Sequence, residues 1–125
     1  MRRTQLALFL ALSLSGCDIL GLDDPVEIRV RNASSVTFDE GVLYSHSDSI
    51  VFVDLEPGRT TPYKEVERAY PIATTQVTTG PDTTRLQVID FVGEKPLEPG
   101  RYTYELSLFE GDPTRLVLEL TRSYL

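Results

Sequence analysis

The stretch VEIRVR at residues 26–31 alternates apolar and charged residues without a break. Val26, Ile28 and Val30 therefore share one face of an extended chain, and the charged residues share the other. This pattern predicts a β-strand with one face in the core and one in water. We expect the strand to open a β domain that covers residues 26–125.

Other stretches follow the same two-residue period. YTYELSL at residues 102–108 and LVLELT at residues 116–121 alternate as cleanly as the first. Weaker candidates, rich in β-branched and aromatic residues, lie at residues 36–44, 49–55, 60–66, 70–79 and 85–92. The first of these contains Asp-Glu-Gly at residues 39–41, which predicts a bulge or a tight turn. The second is apolar on both sides, which predicts a central strand.

Turn-forming residues separate these stretches and set the fold class. Pro-Gly, Gly-Pro and Asn or Asp clusters fall between the strand candidates, at a spacing typical of a sandwich or barrel. Pro62 and Pro71 argue against a long helix in the middle of the chain. The prediction is an all-β fold: an antiparallel β-sandwich of about seven or eight strands, immunoglobulin-like or transthyretin-like in outline. We expect it to follow a cleaved N-terminal signal helix.

A short stretch before the second clear strand carries a family resemblance. LEPGRYTYEL at residues 97–106 resembles the "PG-x-Y-T" strand start of carboxypeptidase-regulatory and Cna-B-type sandwiches. The match is about ten residues long. It implies a type of fold and no activity.

The N-terminus has the pattern of an exported protein. Arg2 and Arg3 precede a nine-residue, almost wholly apolar run at residues 6–14. That run is too short to cross a bilayer as a helix, which needs about 20 residues. A basic start, a short apolar core and small residues behind it predict a signal peptide over residues 1–16.

The residues at the end of this signal carry a second resemblance. Leu14-Ser15-Gly16-Cys17 resembles the lipobox of bacterial lipoproteins. The resemblance implies cleavage between Gly16 and Cys17, diacylglycerol on the Cys17 thiol and acylation, typically by palmitate, of the new amino terminus. A free thiol or an intermolecular disulfide is the alternative role of this lone cysteine.

The residues after the lipobox bear on location. Residues 17–25 form a short tether, so we expect an exported domain held close to a cell-envelope membrane by its N-terminal lipid. The expected site is the outer membrane, on its periplasmic or surface side. Asp18 resembles the retention signal of enteric bacteria, which leaves the inner membrane as the alternative. Cleavage removes Arg2 and Arg3 and changes the net charge from −7 to −9, which disfavours nucleic acid as a partner.

Catalytic and metal-binding patterns are absent from the sequence. With one histidine and one cysteine, the chain can form neither a histidine-based zinc site nor an intramolecular disulfide. His46 lies in Ser-His-Ser-Asp at residues 45–48, where neighbours in an extended loop point in different directions, so we predict a solvated turn. We expect no catalytic residue, no metal site and no cofactor. Convergence of loop carboxylates on calcium stays open.

Six tyrosines are the main aromatic material for a contact surface. Tyr102 and Tyr104 share a strand face with leucines and are expected in the core. Tyr63 and Tyr70 flank an irregular stretch and are the candidate contact residues.

Two functions fit these observations. The first is a non-catalytic, lipid-anchored envelope protein whose domain binds a protein or glycan partner or serves a structural role. The alternative is a small envelope hydrolase or metal-dependent enzyme that uses acidic loop residues. A cleft in which carboxylates from separate loops converge would favour the enzyme.

Overall fold

The computed structural model describes residues 25–88, 94–109 and 112–123. The predicted signal peptide, Cys17 and the tether up to residue 24 lie outside these residues, as does part of the strand expected at 85–92. The described chain is all-β, and none of its segments is a helix long and apolar enough to cross a bilayer. Its strands are β1 (Val26–Asn32), β2 (Phe38–Tyr44), β3 (Ser49–Leu55), β4 (Lys64–Val66), β5 (Thr74–Thr79), β6 (Asp82–Leu86), β7 (Gly100–Phe109) and β8 (Asp112–Ser123).

The strands form two sheets of four, consistent with a β-sandwich. One sheet has the order β4-β1-β7-β8 and the other the order β3-β2-β5-β6. The three stretches of clean alternation became β1, β7 and β8, as predicted. β4 and β5 start later than expected, after Pro62 and Pro71, because proline cannot donate to a strand ladder. The threonine-rich β5 and β6 form a hairpin around Gly80, whose φ of 60° suits glycine.

The core lies between the apolar faces of the two sheets. Buried residues come from both sheets, with Ile28, Val30, Tyr104 and Leu106 from one and Phe38, Leu43 and Val77 from the other. The predicted burial of Tyr102 and Tyr104 is confirmed. Half-buried leucines of β8 pack against this cluster, as the alternation predicts. The sandwich core is therefore built from the same alternating residues that identify the strands.

The prediction of a wholly antiparallel sandwich is wrong at one pairing. β1 and β7 run parallel, from Val26 opposite Gly100 to Asn32 opposite Leu106, whereas the other pairings of the described strands are antiparallel. After β1 the chain crosses to the other sheet, and it reaches the side of β1 opposite β4 only at β7. Such a long connection permits β7 to run either parallel or antiparallel to β1. Alternation specifies which face of a strand is buried, and it does not record the direction of a distant neighbour.

The expected bulge at residues 39–41 takes a different form. Asp39 and Glu40 are both exposed, so the alternation of β2 breaks there. Opposite them, Val53 and Asp54 of β3 are both exposed as well, and Asp54 has a φ of 49°. The register between the two strands is unchanged across this point. Both strands therefore carry the irregularity together, and no single residue is inserted into β2.

β3 is an edge strand, not the central strand that its apolar sequence predicts. Its inward residues Ile50, Phe52 and Leu55 are buried. Its outward residues Val51 and Val53 remain 72% and 63% exposed. Both faces of β3 are therefore apolar, but within the described residues only the inward face is buried.

Candidate functional site

Tyr63, one of the two predicted contact residues, is tied to the outer face of the β1–β7–β8 sheet. Its ring lies under the guanidinium groups of Arg29 and Arg101, whose Cζ atoms are 4.5 Å and 5.1 Å from the ring centroid. Its hydroxyl shares a 2.9 Å hydrogen bond with the Oγ of Ser123. The side chain is half-buried by these contacts. These contacts connect Tyr63 to β1, β7 and β8.

This environment changes the acidity of the Tyr63 phenol. The hydrogen bond with Ser123 lowers the pKa of Tyr63 below its ordinary value, and partial desolvation opposes this effect. Thr103 and the positive charges of Arg29 and Arg101 lower it further. The hydrogen bonds and the positive charges favour the ionised form of the phenol, and they outweigh desolvation. Tyr63 therefore ionises at a lower pH than an ordinary tyrosine.

Tyr70, the second predicted contact residue, lies on a different surface. It is half-buried, and its carbonyl accepts a hydrogen bond from the hydroxyl of Tyr104. Its ring centroid lies 6.3 Å from that of His46. Together with Tyr44, Ile72 and neighbouring residues it lines an aromatic cleft of about 350 Å³. Tyr63 lines a separate groove, so the structure does not bring the two predicted contact residues together.

The turn that carries His46 is structural. The backbone N–H of Ser45 donates to the carbonyl of Asp48 at 2.9 Å, which closes the β2–β3 connection. His46 is exposed at the tip, which confirms the predicted solvated turn. The Ser45 hydroxyl is buried and has no hydrogen-bond partner among the described residues.

The carboxylates of the described residues form no metal-binding group, and two of them have local structural partners. Within residues 25–88, 94–109 and 112–123, no group of three or more His, Cys, Asp or Glu side chains is placed to hold a metal ion. Glu105 pairs with Arg31 at 3.0 Å on the outer face of the first sheet. Asp39 accepts a 2.6 Å hydrogen bond from the backbone of Gly80. Each of these two carboxylates therefore contacts a structural partner in its own part of the fold.

A groove along β3 is a concave surface that the sequence did not predict. A groove of about 500 Å³ runs between β3 and residues 60–64, at the side of the sandwich where both sheets end. Lys64 reaches across one end of it and donates to the carbonyl of Ser49 at 2.8 Å. We call it the edge groove. The doubly apolar pattern of residues 49–55 is the sequence signal for this surface, and it also fits the central strand predicted above.

Beside this groove an apolar patch lies on the outer face of the second sheet. Val42 of β2 is directly opposite Val51 of β3, and Glu40 is directly opposite Val53. Val51 and Val53 are well exposed, while Val42 is half-buried. We call Val42, Val51 and Val53 the valine edge.

The charges around the valine edge are mostly negative. Residues 36–59 contain five carboxylates and one arginine, Arg59. Three exposed carboxylates, Glu40, Asp54 and Glu56, follow or face the far end of β3. At its near end Asp48 has a neutralising neighbour, because Lys64 Nζ lies 3.8 Å from its carboxylate. The edge is therefore polarised, with its excess negative charge at the Asp54 end.

Comparisons with known proteins do not assign this site. No protein-family model matches the chain, and no curated protein sequence is significantly similar to it. The function must therefore be argued from the residues and the geometry.

Proposed function

We propose that this chain is a non-catalytic, lipid-anchored protein of a bacterial cell envelope and that its β domain is a binding module. The observation that carries the binding role is the valine edge, in which β3 exposes two valines beside an open groove. Exposed, contiguous apolar surface on a strand edge is characteristic of an interaction site. An immunoglobulin-like or transthyretin-like outline remains the proposed subtype of the fold.

The anchor is proposed from the N-terminal sequence. A signal core followed by Leu14-Ser15-Gly16-Cys17 resembles the processing site of bacterial lipoproteins. Each acyl CH₂ buried in a bilayer contributes about 0.8 kcal/mol, so two or three chains would hold the protein durably. The net charge of −9 after processing would keep the domain away from anionic lipid.

The proposed location is the outer membrane, on its periplasmic or surface side, with the inner membrane as the alternative because of Asp18. The partner is a protein or glycan of the same compartment. The alternative function is a small envelope hydrolase or metal-dependent enzyme that uses acidic loop residues; within the described residues, no group of three or more His, Cys, Asp or Glu side chains is placed to hold a metal ion.

Metabolic labelling tests the anchor. Cells that express the full chain are grown with a clickable fatty acid, beside cells that express Cys17→Ala and, as a matched control within the signal, Ser13→Ala. We expect label on the wild type and on Ser13→Ala and none on Cys17→Ala. Equal labelling of all chains would refute lipidation at Cys17.

Site-specific crosslinking in intact cells tests the binding role. A photoreactive benzophenone residue is placed at Val51 on the valine edge or at Thr83, an exposed position on the opposite edge strand β6. We expect a discrete, reproducible adduct from position 51 and none of that mass from position 83. Indistinguishable adducts from both positions, or none from position 51, would contradict the proposal.

A further inference from the structure

We propose that β3 binds an extended segment of a partner protein as an added strand, and that this segment carries alternating β-branched residues and a Lys or Arg pair at the end that meets Asp54. The inference rests on the binding role proposed above and names the class of partner. It combines three observations: an uncovered edge, an apolar outer face and a polarised charge.

β3 is the edge of the sandwich that the fold leaves open. Among the strands that the structure describes, it pairs with β2 alone, and its seven residues include no proline. On the opposite side of the sandwich β6 lies alongside β8, so the sheets approach each other there. The other edge near β3 is β4, which has three residues and follows Pro62. Short strands, prolines and cover are the usual protections of an edge, and the central residues of β3 have none of them.

The outer face of β3 supplies the side-chain contacts for an added strand. Val51 and Val53 point to the same face and are 72% and 63% exposed. A strand hydrogen-bonded to β3 would place alternate side chains directly beside these valines. β-Branched or aromatic residues pack best at such positions. The added strand would extend the second sheet to five strands, and its own side chains would pack against the flanks of Val51 and Val53.

The charges select the ends of the added strand. Glu40, Asp54 and Glu56 leave one end of β3 strongly negative, while Lys64 offsets Asp48 at the other end. A segment with basic residues at one end only would match this polarity. Opposite charges across a strand pair are stabilising, and like charges are destabilising. This matching favours a basic-ended partner over a neutral or acidic one.

The same charges disfavour a second copy of this chain. In an antiparallel self-pairing centred on Phe52, Asp48 of one copy would lie opposite Glu56 of the other. Asp54 would lie opposite Ile50. Because Lys64 offsets Asp48, this arrangement would leave Asp54 and Glu56 of each copy without a basic pair opposite them. A partner segment with a basic pair at that end matches the charges of β3 better.

The test uses the full chain in detergent and three labelled peptides of alternating threonine and valine. One peptide begins with two lysines, one begins with two glutamates, and one has the lysines and a central proline that interrupts the strand. Binding is measured by fluorescence anisotropy at low salt. We expect the uninterrupted lysine peptide to bind at least about tenfold more tightly than either of the others.

Two variants locate the contact. Asp54→Asn removes the charge and suits the φ of 49°, because asparagine adopts left-handed backbone readily. We expect it to weaken binding of the lysine peptide several-fold, while Asp82→Asn on β6 leaves binding unchanged. Val51→Lys should abolish binding while Thr83→Lys does not. Circular dichroism confirms that all four variants are folded.

Several results would overturn the inference. Equal affinity for the lysine and glutamate peptides would remove the charge selection. Binding that survives the central proline or Val51→Lys would exclude strand addition at β3. Dimerisation of the free chain that Val51→Lys abolishes would assign the edge to a second copy. If the position-51 adduct persists in cells while the peptides fail, the binding role stands and the strand-addition inference falls.

Discussion

The ring of Phe52 lies against the backbone of Gly41, in the space where any other residue at position 41 would place its Cβ. The two residues are directly opposite each other on the inner face of β2 and β3. Both are buried, and the ring lies 6.5 Å from that of Phe38. Because Gly41 leaves this space empty, a full phenylalanine side chain fits beneath the edge strand.

This contact predicts the sign of a substitution. Glycine in a strand interior usually costs stability relative to alanine, so Gly41→Ala would stabilise an ordinary strand. Here the new methyl group overlaps the Phe52 ring, and we expect a loss of about 1–3 kcal/mol in the free energy of unfolding, measured with urea. Adding Phe52→Leu to Gly41→Ala should cost less than the sum of the two single changes. An increase in stability for Gly41→Ala would contradict the contact.

Asn32 gives a second prediction, because its buried amide joins the two sheets. Its Nδ2 donates to the carbonyls of Leu55 at 2.7 Å and Val36 at 2.8 Å, and its Oδ1 accepts from the backbone N–H of Ser34 at 2.8 Å. Asn32→Ala leaves these groups without their partner. We expect a loss of about 2–4 kcal/mol by urea unfolding.

A matched control comes from the same turn. Ser35 is exposed, so Ser35→Ala should change the free energy of unfolding by less than about 0.5 kcal/mol. Asn32→Asp should cost at least as much as Asn32→Ala, because a carboxylate would face two carbonyl oxygens. Equal stability of the Asn32 and Ser35 variants would show that the amide network contributes little.

Much of the fold could be predicted because alternation is a local property. Residues 26–31, 102–108 and 116–121 each specify which face is buried, and all three lie in strands with that face inward. The direction of β1 relative to β7 could not be predicted in this way, because it depends on where the chain crosses between the sheets. The positive φ of Asp54 could not be predicted either. It accompanies the interrupted alternation at Asp39 and Glu40, and the two features are related only once β2 and β3 are paired.

The site was harder to predict than the fold. Residues 49–55 are apolar on both faces, and such a pattern cannot distinguish a covered central strand from an edge strand with an exposed apolar face. Tyr63 and Tyr70 stay predicted contact residues; each is half-buried, and the structure places Tyr63 under Arg29 and Arg101 and joins Tyr70 to Tyr104 through its carbonyl. These tertiary contacts could not be predicted from the local sequence.

The tyrosines provide a prediction about pH. Burial raises the pKa of Tyr104 far above its ordinary value, and the hydrogen bond that its hydroxyl donates to the Tyr70 carbonyl offsets only part of this increase. The unfolded chain can ionise this residue above pH ~10 and the folded chain cannot, so Tyr104 contributes stability that is lost as pH rises. We expect Tyr104→Phe to flatten the fall in unfolding free energy above that pH.

Ultraviolet absorbance of tyrosinate checks the same assignment. Tyr63 should ionise at a lower pH than Tyr104, because the Tyr63 pKa is lowered. The early part of the titration should disappear in Tyr63→Phe, and the last part should coincide with unfolding of the wild type. An unchanged alkaline unfolding curve for Tyr104→Phe would contradict the role of its burial.

The central claim is that β3 is a partner-binding edge, and amide hydrogen exchange tests it most directly. The exchange of β3 amides is compared between the full chain in native membranes and the same chain purified in detergent, with β6 as the internal reference. The account predicts that β3 exchanges at least about tenfold more slowly in native membranes, while β6 is unchanged. Equally fast exchange of β3 in both preparations would contradict it.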